Sequence, residues 1–199
     1  MDEVMGPVRL LRVEDERTLN IVHAAFLEQR RDRFDEMGVD NIFEDDIYCR
    51  FFRDAAIAGF GQARPALFVH ALMAGDTVAA TSWGTTSVDH YSLYINSTDS
   101  GEASKFRLMN ILLADLMDEL LDMGITSFDL GLGDFAYKER WTDPQPVFNC
   151  VLPLTAAGRL AAVYLSGSTA IKRTIKQNPR LWQLASQVRL MLFRLRPGK

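Results

Sequence analysis

Gly124-Ile125-Thr126-Ser127-Phe128-Asp129-Leu130-Gly131-Leu132-Gly133-Asp134-Phe135-Ala136-Tyr137-Lys138-Glu139-Arg140-Trp141 is the stretch on which the fold turns. It reads as a buried strand over residues 126–130 that stops at two glycines and hands over to Asp134, Tyr137, Lys138 and Trp141. A strand that ends in Gly-x-Gly and opens onto polar and aromatic groups is how an α/β protein builds a binding crevice. Just upstream, Met109, Leu112, Leu113, Leu116 and Leu120 fall at helical spacing. They predict a helix from about residue 103 to 123, with Gly124 as its stop. A helix that joins a strand over 91–95 to one over 126–130 implies a right-handed parallel crossover.

Working outward, residues 8–13 read as a first strand, and Glu14-Asp15 open a helix whose apolar positions are Leu19, Val22, Ala25 and Phe26. A second helix is expected over 44–59, with Ile47, Phe51, Phe52 and Ala55 turned inward. After Pro65, runs over 66–73 and 77–86 flank Ala74-Gly75-Asp76, a hairpin signal. The run over 91–95 alternates and gives way to a loop-like 96–101. Pro146 precedes an expected strand over 147–154. From Thr155 the chain reads as helical, interrupted near Gly167 and at Asn178-Pro179. The order of elements gives an α/β fold with a mixed sheet, antiparallel first and parallel at one junction.

A chain of 199 residues suits one well-buried domain. That domain is expected over 1–155, with 156–199 as a basic helical extension packed on or beside it. No run approaches the roughly 20 apolar residues of a membrane span. Met1-Asp2-Glu3-Val4 is acidic, so no secretory leader and a cytoplasmic location are expected. Cys49 and Cys150, in a helical and a strand pattern, read as reduced packing cysteines. His23, His70 and His90 lack metal-ligand spacing, so no metal is expected. There is no Gly-x-Ser-x-Gly, P-loop or dinucleotide fingerprint. The net charge of −4 hides an asymmetry: all 26 acidic residues precede position 151, and the rest of the chain holds nine Lys or Arg. Such polarity points to a charged partner, or to a tail docked on an acidic body.

Phe128-Asp129-Leu130-Gly131-Leu132-Gly133-Asp134-Phe135-Ala136-Tyr137-Lys138-Glu139-Arg140-Trp141 resembles a signature of the GNAT superfamily of CoA-dependent N-acyltransferases. The likeness is to its CelD-like branch, linked to bacterial polysaccharide biosynthesis, where the pattern is close to Phe-Asp-(Leu/Phe)-Gly-x-Gly-Asp-x-x-Tyr-Lys-x-x-Trp. The resemblance implies a GNAT-like mixed sheet flanked by helices, and transfer of an acyl group from acetyl-CoA or another acyl-CoA to an amine on a sugar or cell-envelope precursor. It places the CoA pyrophosphate at the start of the third helix, on Ser104, Lys105, Phe106 and Arg107, where backbone N–H groups and the helix dipole favour an anion. Relatives tend to carry a Ser-Pro-Gly-like turn there; this chain has Ser104-Lys105-Phe106.

N-acyl transfer needs a deprotonated amine, a polarised carbonyl and a proton for the departing thiolate. Tyr137 is the candidate acid, and Asp134 the group that takes a proton or holds the amine. His23 resembles a histidine on the first helix of relatives and is a candidate base. Asp129, Lys138 and Trp141 are candidates for substrate binding. Against these stand plainer readings: Asp134 as a helix cap, Tyr137 and Trp141 as one packed face, His23 and Asp129 as buried structural groups.

From Arg180 on, Leu181, Leu184, Ala185, Val188, Met191, Leu192 and Leu195 keep helical spacing beside Arg180, Arg189, Arg194 and Arg196. This basic amphipathic helix suits an anionic membrane surface, self-association, or packing on an acidic domain. No DNA-binding motif is present. Two alternatives to a CoA-dependent enzyme are a non-catalytic GNAT-like binding module and a Fem-type transferase that takes its acyl group from aminoacyl-tRNA. A half of a tandem arrangement is also compatible with the length.

Overall fold

The computed structural model describes residues 1–133, 135 and 137–195 (of Asp2, the backbone only). It divides into two compact units, Met1–Phe34 with Asn41–Asp143, and Asp35–Asp40 with the chain from Pro144 onward. The division falls ahead of residue 155, and the second unit takes in the end of the first long helix.

In the first unit the elements run α1 (Asp2–Met5), β1 (Val8–Arg12), α2 (Glu16–Met37), α3 (Asp46–Gly59), β2 (Leu67–Ala74), β3 (Thr77–Thr86), β4 (His90–Thr98), α4 (Leu108–Asp122) and β5 (Ser127–Asp129). The strands form one mixed five-stranded sheet in sequence order. β1 to β4 pair antiparallel, and β4 and β5 pair parallel. This is the GNAT-like α/β layout expected.

α4 covers one face. Leu108, Leu112, Leu113, Leu116 and Leu120 are buried with Phe68, Leu72, Tyr91 and Leu93 in the main core. Each such side chain contributes about 1.5–3 kcal/mol by leaving water. On the other face Trp83 of β3 is fully buried among the rings of Phe26 (5.1 Å), His23 (5.8 Å) and Phe52 (6.2 Å) from α2 and α3. A polar seam crosses this layer, in which the buried His23 Nε2 has no hydrogen-bond partner. The Gln29 amide donates to the Val78 carbonyl (2.7 Å), the Ser97 hydroxyl donates to Gln29 (2.6 Å), and the Trp83 indole donates to Thr81 (3.2 Å).

Several elements depart from the sequence reading. α3 buries Phe52 and Ala56 and leaves Ile47 and Phe51 exposed, because its inner stripe is one helical step away from the one expected. β4 runs on to Thr98 through residues that read as a loop: β3 lies beside it, and Thr81 and Gln29 take up the Ser97 hydroxyl. The expected third helix begins at Leu108. Ahead of it residues Glu102–Phe106 make a 3₁₀ turn, and Arg107 adopts φ 51, ψ 50, which breaks the helix.

In the second unit α5 (Ala156–Gln177) and α6 (Pro179–Arg194) form a helical pair. Thr155 caps α5, accepting from the Gly158 N–H, and Asn178 caps α6, accepting from Arg180 and Leu181. The break at Asn178-Pro179 is therefore real. α5 passes through Gly167 uninterrupted, since one helical glycine costs only about 1 kcal/mol. The strand expected over 147–154 does not form. Val147, Phe148, Val151, Leu152 and Leu154 lie exposed in an irregular segment, punctuated by Pro146 and Pro153. Cys150 is accordingly exposed rather than packed, whereas Cys49 is partly buried on α3; both are free thiols.

Candidate active site

β4 and β5 pair over only three residues, from His90 opposite Ser127 to Ser92 opposite Asp129. β4 then continues to Thr98 while the chain after β5 turns away at Gly131. Gly131 has φ +74, and a Cβ there would lie 3.0 Å from the Leu93 carbonyl oxygen, so a side chain is disfavoured at this exit. A bulge adds to the parting: Trp83 faces Ile95 and Gly84 faces Leu93, which leaves Tyr94 as the extra residue. The strands separate at their C-terminal ends, where a parallel junction opens a crevice.

A cavity of about 480 Å³ fills that end, lined by Thr98, Asp99, Ser104, Arg107, Leu108, Met109, Asn110, Tyr137 and Arg140. Its floor is the start of α4. Arg107 occupies the N-cap position with no side-chain hydrogen bond to the first turn. The first backbone N–H groups of a helix have no partner within it, and they carry the positive end of the dipole. The preceding 3₁₀ turn differs: the Asp99 carboxylate accepts from the N–H groups of Gly101 (3.1 Å) and Ala103 (3.3 Å). The anion-receptive terminus is therefore that of α4, five residues beyond the position expected.

Tyr137 is half-buried against the core, with the Asn96 side chain near its hydroxyl. Burial pushes its phenol above the ordinary range, with Asn96 opposing. It therefore holds its proton throughout the neutral range. Ser104 donates to the Gly101 carbonyl (2.7 Å), and Asn110 accepts from the Trp141 indole (3.3 Å).

Of the expected site residues, the cavity gathers Tyr137, Ser104 and Arg107. Lys105 is not among the lining groups: it pairs with Glu102 at 3.8 Å and lies over the Phe106 ring. Lys138 donates to the carbonyls of Gly131 (3.1 Å) and Leu132 (3.0 Å), and so fastens the turn after β5. Burial lowers its pKa, and nearby Asp129 opposes the shift. Asp129 is exposed on an edge strand rather than buried on a central one, and it accepts from the Gly131 N–H at 2.8 Å. Trp141 packs against the core beneath Asn110. His23 lies in the aromatic layer around Trp83, apart from the cavity lining, and burial lowers its pKa. Asp134 lies outside the described residues. Sequence reading missed Asn96, Thr98, Asp99, Asn110 and Arg140. The first three fall in the loop-like run, Asn110 within the expected helix, and Arg140 at a position the signature leaves open. The usable signal was their position just before and after the two segments that flank the crevice.

Residues 2–139 match the model of a family described as an acetyltransferase (GNAT) domain. The chain belongs to the GNAT acetyltransferase family. Solved structures share the fold of this GNAT protein at low identity. One is an aminoglycoside acetyltransferase from an uncultured soil metagenomic sample in complex with sisomicin (12% identity, TM-score 0.54, covering 78% of this chain and 100% of that one). Another is a predicted acetyltransferase with acetyl-CoA from Clostridium acetobutylicum (13%, TM-score 0.51, 74% and 97%). A third is a probable acetyltransferase (11%, TM-score 0.53, 74% and 99%). Among curated proteins, none matches the sequence significantly.

Proposed function

We propose that the protein is an acyl-CoA-dependent N-acyltransferase whose donor is bound at the N-terminus of α4. The observation that carries this reading is the cavity itself: an uncapped helix start, the Arg107 and Arg140 guanidinium groups and a proton-bearing tyrosine share one opening. These residues fit a pyrophosphate, which takes backbone N–H groups and bidentate guanidinium donors. Acetyl-CoA, when bound, supplies the activated thioester carbonyl. Arg107 and the first turn of α4 hold its anionic end. Tyr137 would give its proton to the departing sulfur, and Asp134 would take a proton from the amine. One proton leaves nitrogen and one reaches sulfur as the C–N bond forms and the C–S bond breaks. Lys138 and Asp129 act through the turn they fasten, which positions Tyr137. We assign His23 no proton transfer, since its ring lies within the aromatic layer.

We infer an amine-bearing sugar or envelope precursor as the acceptor. The CelD-like signature supports it, as does the aminoglycoside acetyltransferase among the structural neighbours. Calorimetric titration with CoA and acetyl-CoA tests the donor site. Arg107→Gly should weaken binding by about tenfold or more, the worth of a charge-assisted hydrogen bond, without loss of stability, because glycine accepts φ 51 freely. Equal affinity in both proteins would remove the donor from this cavity.

A further inference from the structure

We propose that α6 seats on the surface of an anionic phospholipid bilayer. Neither α5 nor α6 contains a buried residue. On α6 the residues turned toward the rest of its unit are Ala185, Leu190 and Phe193, and a Cβ on Gly38 would come within 2.9 Å of the Leu190 backbone. Beside them along the helix run Leu181, Leu184, Val188, Leu192 and Leu195, all exposed and one helical turn apart. This stripe borders an open groove of about 660 Å³, to which Val39 and Ile175 add apolar lining, Asp40 an acidic group and Arg189 a basic one.

Charge selects the occupant. The chain beyond residue 150 has nine Lys or Arg and no Asp or Glu. A second copy of α6 on the stripe would bring Arg180 and Arg194 of each helix toward those of the other, with no acid on either to offset them. A bilayer of anionic lipid takes the apolar stripe into its interface and pairs the cations with headgroup phosphates. Trp182, stacked under Arg189 at 5.7 Å, has the amphipathic character that suits that depth. Among the described residues no helix is long and apolar enough to cross a membrane, so α6 would lie along the surface.

Sedimentation of the full chain with vesicles tests this, using phosphatidylcholine alone against phosphatidylcholine mixed with phosphatidylglycerol. Partitioning onto the anionic vesicles should exceed that onto neutral ones by about tenfold or more, from a gain of roughly fivefold per cation near the surface. It should fall as salt rises. The Leu184→Glu/Val188→Glu/Leu192→Glu variant should lose binding while keeping the wild-type melting temperature. Arg180→Gln/Arg194→Gln should lose only the preference for anionic lipid. Absent binding, or binding indifferent to lipid charge and salt in the unmodified chain, would overturn the proposal. So would a dimer that the triple variant dissolves, which would give the stripe to a second copy.

Discussion

Arg107 is the one non-glycine residue with positive φ among those described, and it lines the cavity. Such a conformation costs about 1 kcal/mol or more and persists where the surroundings impose it. It ends the 3₁₀ turn, restarts the chain as α4 and sets a guanidinium beside uncapped N–H groups. Tyr137 depends on burial in the same way. Its raised pKa keeps the phenol protonated, so Tyr137→Phe should lower kcat by about 10²–10⁴, the usual worth of a general acid, with little change in acetyl-CoA affinity. Steady-state kinetics beside titration would show it. His23 is a structural counterpart. Its folded pKa lies below the unfolded value, because burial disfavours the imidazolium. The stability this contributes is present above about pH 6.5 and is lost as pH falls through the folded value. Thermal melts should then show that His23→Leu flattens the fall in stability below that pH.

At the scale of elements, the sheet is held by a few close fits. A Cβ on Gly84 would land on the Tyr91 ring, which is fully buried between β3 and α4 and bonded to Ser82 at 2.9 Å. Gly84→Ala should therefore cost about 1–3 kcal/mol as an overpacked site, measured by denaturant unfolding; a neutral result would mean the ring has room to shift. The parting of β4 and β5 belongs to this scale too. Three parallel pairs hold them, then the Tyr94 bulge and the Gly131 turn release them. Position within these elements is what makes Asn96 and Asn110 part of the site.

For the whole molecule, every buried apolar residue among those described precedes position 131, and the described residues from Pro144 on add none. A chain ended after Asp143 should therefore melt cooperatively within a few degrees of the full protein, since about 1 kcal/mol shifts a chain of this size by roughly 2–4 °C. Calorimetry would decide it, and a collapse of the transition would mean that the helices support the sheet. The sequence by itself determined what repeats locally. The leucine spacing of α4, the Gly-Asp hairpin, the crossover to β5 and the Gly-x-Gly exit are each encoded within a few residues, and together they specify the α/β layout and the family likeness. Tyr137, Ser104 and Arg107 were legible because they flank those landmarks. Tertiary structure alone decided the rest. Residues 96–98 became strand because β3 offered them partners, and 147–154 stayed irregular with no strand pairing among the described residues. Arg107 was driven into a left-handed conformation, and Asp99 took up the N–H groups of the turn ahead of it. These outcomes depend on which distant groups satisfy a backbone donor or fill a space, and neither spacing nor propensity carries that information.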